Sequence, residues 1–325
     1  MTGLSSIIGR GWSALTRHQD WNIGIVRAPI AAFADAAFVP EIEWLPAPPD
    51  GRFAADPFVF TLSGSTYILY ESYEFSRETG HIAAMRIAAD GSVEQCGPVL
   101  TADTHLAYPY VFTWRDRLYC VPENALGGDT VLYRVDRIPG TLTPVATMIG
   151  GRGAIDPTVF EHEGRWWLAY TERATGSNEA LHLCHAASPL GPWTPHALSP
   201  AKRDVASSRP AGTPFVHEGV LYRPAQDCSA TYGGRIALNR VDRLTPSEFA
   251  EVTVRWIEPD RSGAFPHGLH TISAAGDITV VDGKREHFVA AAALAAVSRN
   301  LRRLSACIRK KPSAAEAPAA KEARA

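Results

Sequence analysis

A short phrase stands twice in this chain, 100 residues apart, and belongs to a series of units that repeat at a spacing of about fifty residues, the period of a propeller blade. That repetition restricts the fold more than any other property of the sequence. Ala55–Phe60 reads ADPFVF, and Ile155–Phe160 reads IDPTVF. Each occurrence opens a unit of short strand-like runs. After Asp56-Pro57 come FVFTL, the polar turn SGS, YILYES and, past a linker, HIAAMRIA. A second unit begins at Tyr108 with YPYVFTW, turns at RDR, and continues through LYCVPEN to TVLYRVD. The third runs DPTVFEH, EGR, WWLAYTER, ALHLCHA, and the fourth AGTPFVH, EG, VLYRPAQD, GRIALNRVD. A fifth, HGLHTIS, AAGD, ITVVDG, is short by one or two strands.

The runs are rich in β-branched and aromatic residues and are separated by Gly, Asp and Ser turns, the pattern of antiparallel strands. Five such units predict an all-β fold, a five-bladed β-propeller with short flanking helices, because radial repetition protects sheet edges. The alternating segment WNIGIVR, Trp21–Arg27, precedes the first unit and is predicted to complete the fifth blade. A β-sandwich is the alternative, but it leaves the fixed phrase order unexplained. A ring cannot be divided, so residues 20–285 are read as one domain. Residues 1–19 carry Leu4, Ile7, Ile8, Trp12 and Leu15 on one helical face and predict an amphipathic helix. Residues 286–311 are read as a C-terminal helix ending in LRRLSACIRKK, and 312–325 as a disordered tail.

Bulk properties exclude more than they assign. A net charge of −2 gives no general attraction to nucleic acid. Five cysteines without C-x-x-C spacing argue against a disulfide framework or a zinc site. The N-terminus lacks the apolar core and cleavage site of a signal peptide, and the apolar run FVAAAALAAV is too short for a membrane span. The expectation is a cytoplasmic protein, with peripheral attachment to the inner face of the membrane left open through the terminal helices.

Propeller geometry converts the repeat into a candidate site. The first strand of a blade lines the channel and the second returns antiparallel beside it. The start of the first strand and the end of the second therefore share one face. Starts contribute Asp56, Tyr108, Asp156, Arg209, and His267 with His270; ends contribute Glu71, Glu123, Glu172 and the Gln226-Asp227 pair. Acids reach one mouth from equivalent positions of several blades. Crowded carboxyls repel, which separates their pKa values and lets one serve as acid and another as base. Tyr70, Tyr108, Tyr110, Trp167, Tyr170 and Tyr232 could offer faces for sugar stacking, although several must belong to the core.

A purely structural reading stands beside this one. Asp-Pro is a common turn initiator, and the glutamates could pair with Arg209 or Arg223 in ion networks. His267 and His270, in PHGLH, suit metal ligation or a hydrogen-bonded core equally by residue type, and the core reading leads. Arg209, in SSRPAG, has the planar fork that grips carboxylate or phosphate.

With Asp-Pro opening units one and three, the order of units resembles the five-bladed glycoside hydrolases of family 43 and their fructan-cleaving relatives. The resemblance implies a base at Asp56 and a pKa-tuning aspartate at Asp156. Where that family shows a Glu in a phrase like R-I-E-G-P, this chain reads SRPAGTPF, so either Glu123 or Glu172 replaces that acid or the chemistry differs. A nearer resemblance covers about residues 50–285. ADPFVF, YPYVF, VPEN, DPTVFEHEGRWWLAYT, SPLGPW, SRPAG, YRPAQDCSATYGG and PHGLHTIS are similar to the N-terminal propeller domain of plant glucosamine inositolphosphorylceramide transferases and its bacterial relatives. In the plant proteins a separate domain carries the sugar transfer, so the resemblance implies a propeller associated with glycan or glycolipid assembly.

The functional expectation is a carbohydrate-active propeller acting on a glycosidic linkage, with Asp56, Asp156, Glu123 and Glu172 as catalytic candidates. Glu71, Tyr108, Arg209, Asp227, His267 and His270 are the substrate-binding candidates. The partner would be a glycan, glycolipid or sugar nucleotide. No cofactor is called for, with a central metal ion near His270 left open. The rival is a non-catalytic module that binds glycan or a glycosyltransferase.

Overall fold

The computed structural model describes residues 17–88 and 90–288, and the stretch Asp20–Arg285 forms one compact unit. The helices expected in 1–19 and 286–311, and the tail 312–325, lie outside the described residues except at their inner ends. No helix among the described residues is long and apolar enough to cross a membrane.

Five antiparallel sheets follow one another along the chain. β1 (Arg17–Val26) and β2 (Glu43–Trp44) come first, separated by a short 3-10 turn at Ile30–Ala34. Blade one is β3 (Arg52–Leu62), β4 (Ser65–Glu74), β5 (Thr79–Ile87) and β6 (Val93–Leu100), hydrogen-bonded in that order. Blade two repeats the order with β7 (Ala107–Trp114), β8 (Arg117–Glu123), β9 (Thr130–Val135) and β10 (Thr143–Ile149). Blade three has β11 (Ala154–His162), β12 (Arg165–Glu172), β13 (Ala180–Ala186) and β14 (Thr194–Pro195), with β15 (Lys202–Arg203) also on β13. Blade four is β16 (Phe215–His217), β17 (Val220–Asp227), β18 (Arg235–Leu244) and β19 (Phe249–Ile257). Blade five joins both ends of the fold: β20 (Ile272–Ala275) is innermost, then β21 (Ile278–Phe288), β1 and β2. WNIGIVR completes the short fifth unit, and the five-bladed ring follows.

The apolar residues of these strands pack between blades. Ile23 and Ile25 of β1 meet Val59, Ile68 and Met85 of blade one. Phe58, Tyr110, Val121 and Leu168 run through blades one to three, and Trp167 with Leu183 meets Leu221 and Leu244 of blade four. Of the proposed stacking aromatics, Tyr110, Trp167 and Tyr170 are 2 %, 1 % and 2 % exposed, so they are core. The four described cysteines are unpaired thiols.

The repeated Asp-Pro is a backbone device. The β3–β4 register slips between Ala55 and Phe58, β7–β8 between Ala107 and Tyr110, and β11–β12 between Ile155 and Thr158. The residue before the proline has positive φ each time: 51° at Asp56, 43° at Tyr108 and 49° at Asp156. A bulge leaves its extra residue unpaired, so the proline that follows gives up no ladder hydrogen bond. Asp enters the left-handed region more readily than most residues because its short side chain bonds locally; a bulky Tyr there is held by tertiary contacts. In blade four the positive φ falls one residue earlier relative to the proline, at Gly212 with φ 114°, where a Cβ would stand 1.8 Å from the Ile272 carbonyl oxygen. Only glycine fits.

Candidate active site on the propeller axis

Each bulge turns a side chain and a backbone N–H toward the axis, and the neighbouring blade supplies the acceptor. Asp282 of β21 accepts the Asp56 N–H at 3.1 Å, and Asp56 accepts the Tyr108 N–H at 3.2 Å. Glu123 accepts the Asp156 N–H at 3.1 Å. The Tyr108 hydroxyl crosses the channel to blade four, accepting the Gly212 N–H at 2.6 Å and meeting Thr158 Oγ1 at 2.9 Å. The candidate carboxylates thus stitch the ring together, while the buried Tyr108 plugs its centre.

Five carboxyl groups crowd this region: Asp56, Glu71, Glu123, Asp156 and Asp282. The cationic groups that act on them are Arg209 and His270. Arg209 Nε donates to Asp156 Oδ2 at 2.6 Å, its NH1 to Asn178 Oδ1 at 3.0 Å, and its NH2 to the Tyr232 hydroxyl at 3.3 Å. Gln226 Nε2 adds a second donor to the same Asp156 oxygen at 2.7 Å. Arg209 is therefore spent on Asp156, which changes its reading from anion clamp to partner of an internal acid. His270 stacks on Trp21 with centroids 3.9 Å apart. Its Nε2 lies 3.7 Å from Asp56 Oδ1, and its Nδ1 lies 2.5 Å from Asp282 Oδ2 in a close but poorly directed contact. Lys284 Nζ donates to Thr231 Oγ1 at 3.0 Å and to the Tyr232 carbonyl at 2.5 Å.

Burial and like charge then spread the proton affinities. Burial raises Asp56 to about 6, with Asp156 and Asp282 adding to the effect and His270 opposing it. Burial and the Asp156 charge raise Glu123 to about 8 against the pull of Arg209. Glu71 is pushed well above the carboxylate range by burial and by Asp56, Glu123 and Asp282. Burial alone would lower His270, but Asp282 and Asp56 reverse the sign and raise it. Near neutral pH one carboxyl is largely ionised and another largely protonated within one cluster, the arrangement that acid–base chemistry needs.

Asp56, Glu71, Glu123, Asp156, Tyr108, Arg209 and His270 come together here. Three candidates do not. Glu172 faces His182 of β13 at 3.6 Å and Arg152, in the connector before β11, at 3.8 Å. Asp227 is held by Arg235 at 2.8 Å and Ser229 at 2.5 Å; its neighbour Gln226 is the residue that turns inward. His267 is exposed, and the inward histidine of PHGLH is His270. Sequence reasoning missed Asp282, Lys284 and Trp21. Asp282 sits in ITVVDG at the end of the second strand of the fifth unit, the position that supplied Glu71 and Glu123 elsewhere, so that signal was present.

Asp56, His270 and Asp282 offer ligand atoms within 4.8 Å of one another. Asp282 Oδ1 already accepts the N–H groups of His270 and Thr271, and its Oδ2 serves Asp56 and His270. Asp56 is engaged as well, its Oδ1 by the Thr271 hydroxyl and its Oδ2 by the Tyr108 N–H, so a cation bound at this set would compete with the protein's own donors.

Residues 45–267 match the family model of glucosamine inositolphosphorylceramide transferase 1, N-terminal. The chain belongs to this family. It is 32% identical over 249 residues to glucosamine inositolphosphorylceramide transferase 1 of Oryza sativa subsp. japonica, an alignment covering 72% of this chain and 33% of the rice protein. The Arabidopsis thaliana protein of the same name is 32% identical over 220 residues, covering 65% of this chain and 28% of its own. This chain thus spans about a third of the curated relatives it matches. Among solved structures, a family 117 glycoside hydrolase from Zobellia galactanivorans matches with TM-score 0.50 and 15% identity, covering 81% of this chain and 90% of that one. A family 43 enzyme from Xanthomonas citri matches with TM-score 0.50 and 15% identity, covering 74% of this chain and 88% of the other. At such identity these two share the fold.

Proposed function

We propose that this propeller is carbohydrate-active and works on a glycosidic linkage at its axial mouth, with Glu123 as general acid and Asp56 as general base. The observation that carries the reading is the separation of two carboxyls in one buried cluster, Asp56 at about 6 and Glu123 at about 8. Glu123 is the more exposed of the two, placed to reach a ligand from the mouth. Protonated, it gives its proton to the departing glycosidic oxygen. Asp56, ionised, takes the proton of the incoming water or acceptor hydroxyl, so the proton balance closes over one turnover. Asp156, fixed by Arg209 and Gln226, orients Glu123 through its backbone N–H and keeps that carboxyl protonated through its charge. Glu123 takes the place of the acid that SRPAGTPF lacks, where Ala211 is fully buried. The names of the plant relatives support a glycan, glycolipid or sugar nucleotide as ligand.

The test is a panel of glycosides and sugar nucleotides offered to the purified protein, with Glu123→Gln and Asp56→Asn assayed on whichever is turned over. Each change should lower turnover by about 10²–10⁴-fold, the usual contribution of a positioned acid or base. Full turnover by either variant would remove that residue from the chemistry.

A second reading rests on a specific observation: Asp282, Asp56 and Glu123 each accept a backbone N–H at a bulge, as structural clasps would. In a ring that only binds glycan, Asp56→Asn would change affinity by about 1–3 kcal/mol, the loss of one charged hydrogen bond, with no turnover to lose.

A further inference from the structure

Alternate side chains of β4 serve two different places. Glu71 turns to the axis and shares the field of Asp56 and Glu123. Its neighbours Tyr70 and Ser72 turn the other way and line a cavity of about 780 Å3 between blade one and the β1–β2 side of blade five. That volume falls within the range of about 300–1,000 Å3 usual for small-molecule sites.

The inner part of the cavity is apolar. Ile23 and Leu45 from blade five face Ala83, Met85 and Val93 of blade one, all in one packed cluster. One wall is the segment LPAPP, Leu45–Pro49, whose three prolines limit its backbone freedom. Asn22 Nδ2 ties that wall down by donating to the Leu45 carbonyl at 2.7 Å.

The rim is cationic. Arg52 and Arg77 each approach the same Glu74 oxygen at 3.7 Å, beyond hydrogen-bond reach, while the other Glu74 oxygen accepts from Ser76. Two guanidinium groups thus share one carboxylate, leaving an excess positive charge beside the cavity. Their side chains are 50% and 75% exposed, so their donors face solvent.

We propose that this cavity binds an anionic amphiphile, a compact apolar body carrying one phosphoryl or carboxyl group. The apolar part would lie against Leu45, Met85 and Val93, and its head would meet the planar forks of Arg52 and Arg77, which match either anion bidentately. The site shares β4 with the axial cluster but uses none of its carboxyls, so it stands or falls independently of the glycosidic chemistry.

The experiment is calorimetric titration of the full chain with octyl phosphate, octanoate, octanol and inorganic phosphate. Octyl phosphate should bind saturably and at least about tenfold more tightly than octanol or inorganic phosphate, since each of those offers only half of the recognition. Octanoate tells a carboxyl from a phosphoryl preference. Arg77→Glu lies on the exposed rim and should fold normally, yet weaken octyl phosphate at least about tenfold by reversing the local charge. Thr79→Trp, at the cavity edge, should weaken it as much by filling the space. Arg243→Glu, on blade four, should leave it unchanged. No saturable binding of octyl phosphate, or binding indifferent to both Arg77→Glu and Thr79→Trp, would overturn the proposal.

Discussion

In blade four, the Glu251 side chain is 1% exposed and lies between two cations. Arg223 donates to its two oxygens at 2.8 and 2.6 Å, and Lys202 reaches it at 2.8 Å. The remaining Arg223 donors go to the carbonyls of Ser207 and Ser208. Every charge there has a partner at hydrogen-bond distance, and the effect is to pin the segment that leads into Arg209. On the axis, five carboxyls share Arg209 and His270, and among the described residues the nearest cationic partner of Glu71 is His105 at 3.5 Å. Balanced burial makes a strut. Unbalanced burial leaves charge that the protein can relieve only by holding protons, the condition that the proposed acid–base chemistry requires.

Breaking the strut should give the largest effect. Glu251→Ala strands Arg223, whose side chain is 2% exposed, and should cost about 3–5 kcal/mol of stability, read as a shift of the urea midpoint. The corresponding axial change has the opposite sign. Glu123→Gln removes a carboxyl that burial and Asp156 disfavour when ionised, so at pH 8 the variant should unfold at equal or higher denaturant than the parent. A loss like that of Glu251→Ala would show that Glu123 is a strut as well.

The pH dependence of stability sharpens the contrast. Asp56 and Glu123 hold protons in the folded state, up to about 6 and about 8, that the unfolded chain releases at ordinary carboxylate values. At these two carboxyls the folded protein binds more protons than the unfolded chain, so their contribution to stability falls as pH rises from about 4 to about 8. The raised His270 contributes in the same direction, whereas His81, His105, His182 and His185, lowered by burial, oppose it up to the ordinary histidine range. The difference in melting temperature between Glu123→Gln and the parent isolates the carboxyl: it should shift in favour of the variant as pH rises across that window. The smallest effect belongs to Glu172, an acid on a matching strand end that lies off the axis. Glu172→Gln should leave any turnover within about twofold, because its partners are His182 of β13 and Arg152 of the connector before β11, neither of them in the axial cluster. A large loss would bring Glu172 back among the catalytic residues.

Much of the ring is legible in the amino-acid sequence. The phrase order marks five units because each blade needs the same succession of strand, turn and strand. The incomplete fifth unit, together with the alternation of WNIGIVR, predicts how the ring closes. The inward positions of Asp56, Glu71, Glu123 and Asp156 also follow from strand order alone. The same rule extended to the fifth unit would have found Asp282. It failed by one position at Gln226-Asp227, because a period of two sends neighbours to opposite faces and the register there is set by pairing with β18. It failed at His267, which lies five residues before the inner strand β20 begins.

The repeat, the closure of the ring and the delivery of several acids to one mouth are written in the chain's order of residues, since these depend on local strand and turn preferences repeated in series. Tertiary structure alone decided which charges meet. Arg209 joins Asp156 across 53 residues and Tyr108 reaches Gly212 across 104, while Asp56 binds Thr271 across 215. No local preference encodes such pairs. They exist because the ring brings the inner edges of five blades onto one axis, where low dielectric makes each unmatched carboxyl costly and so sets which of them keeps its proton.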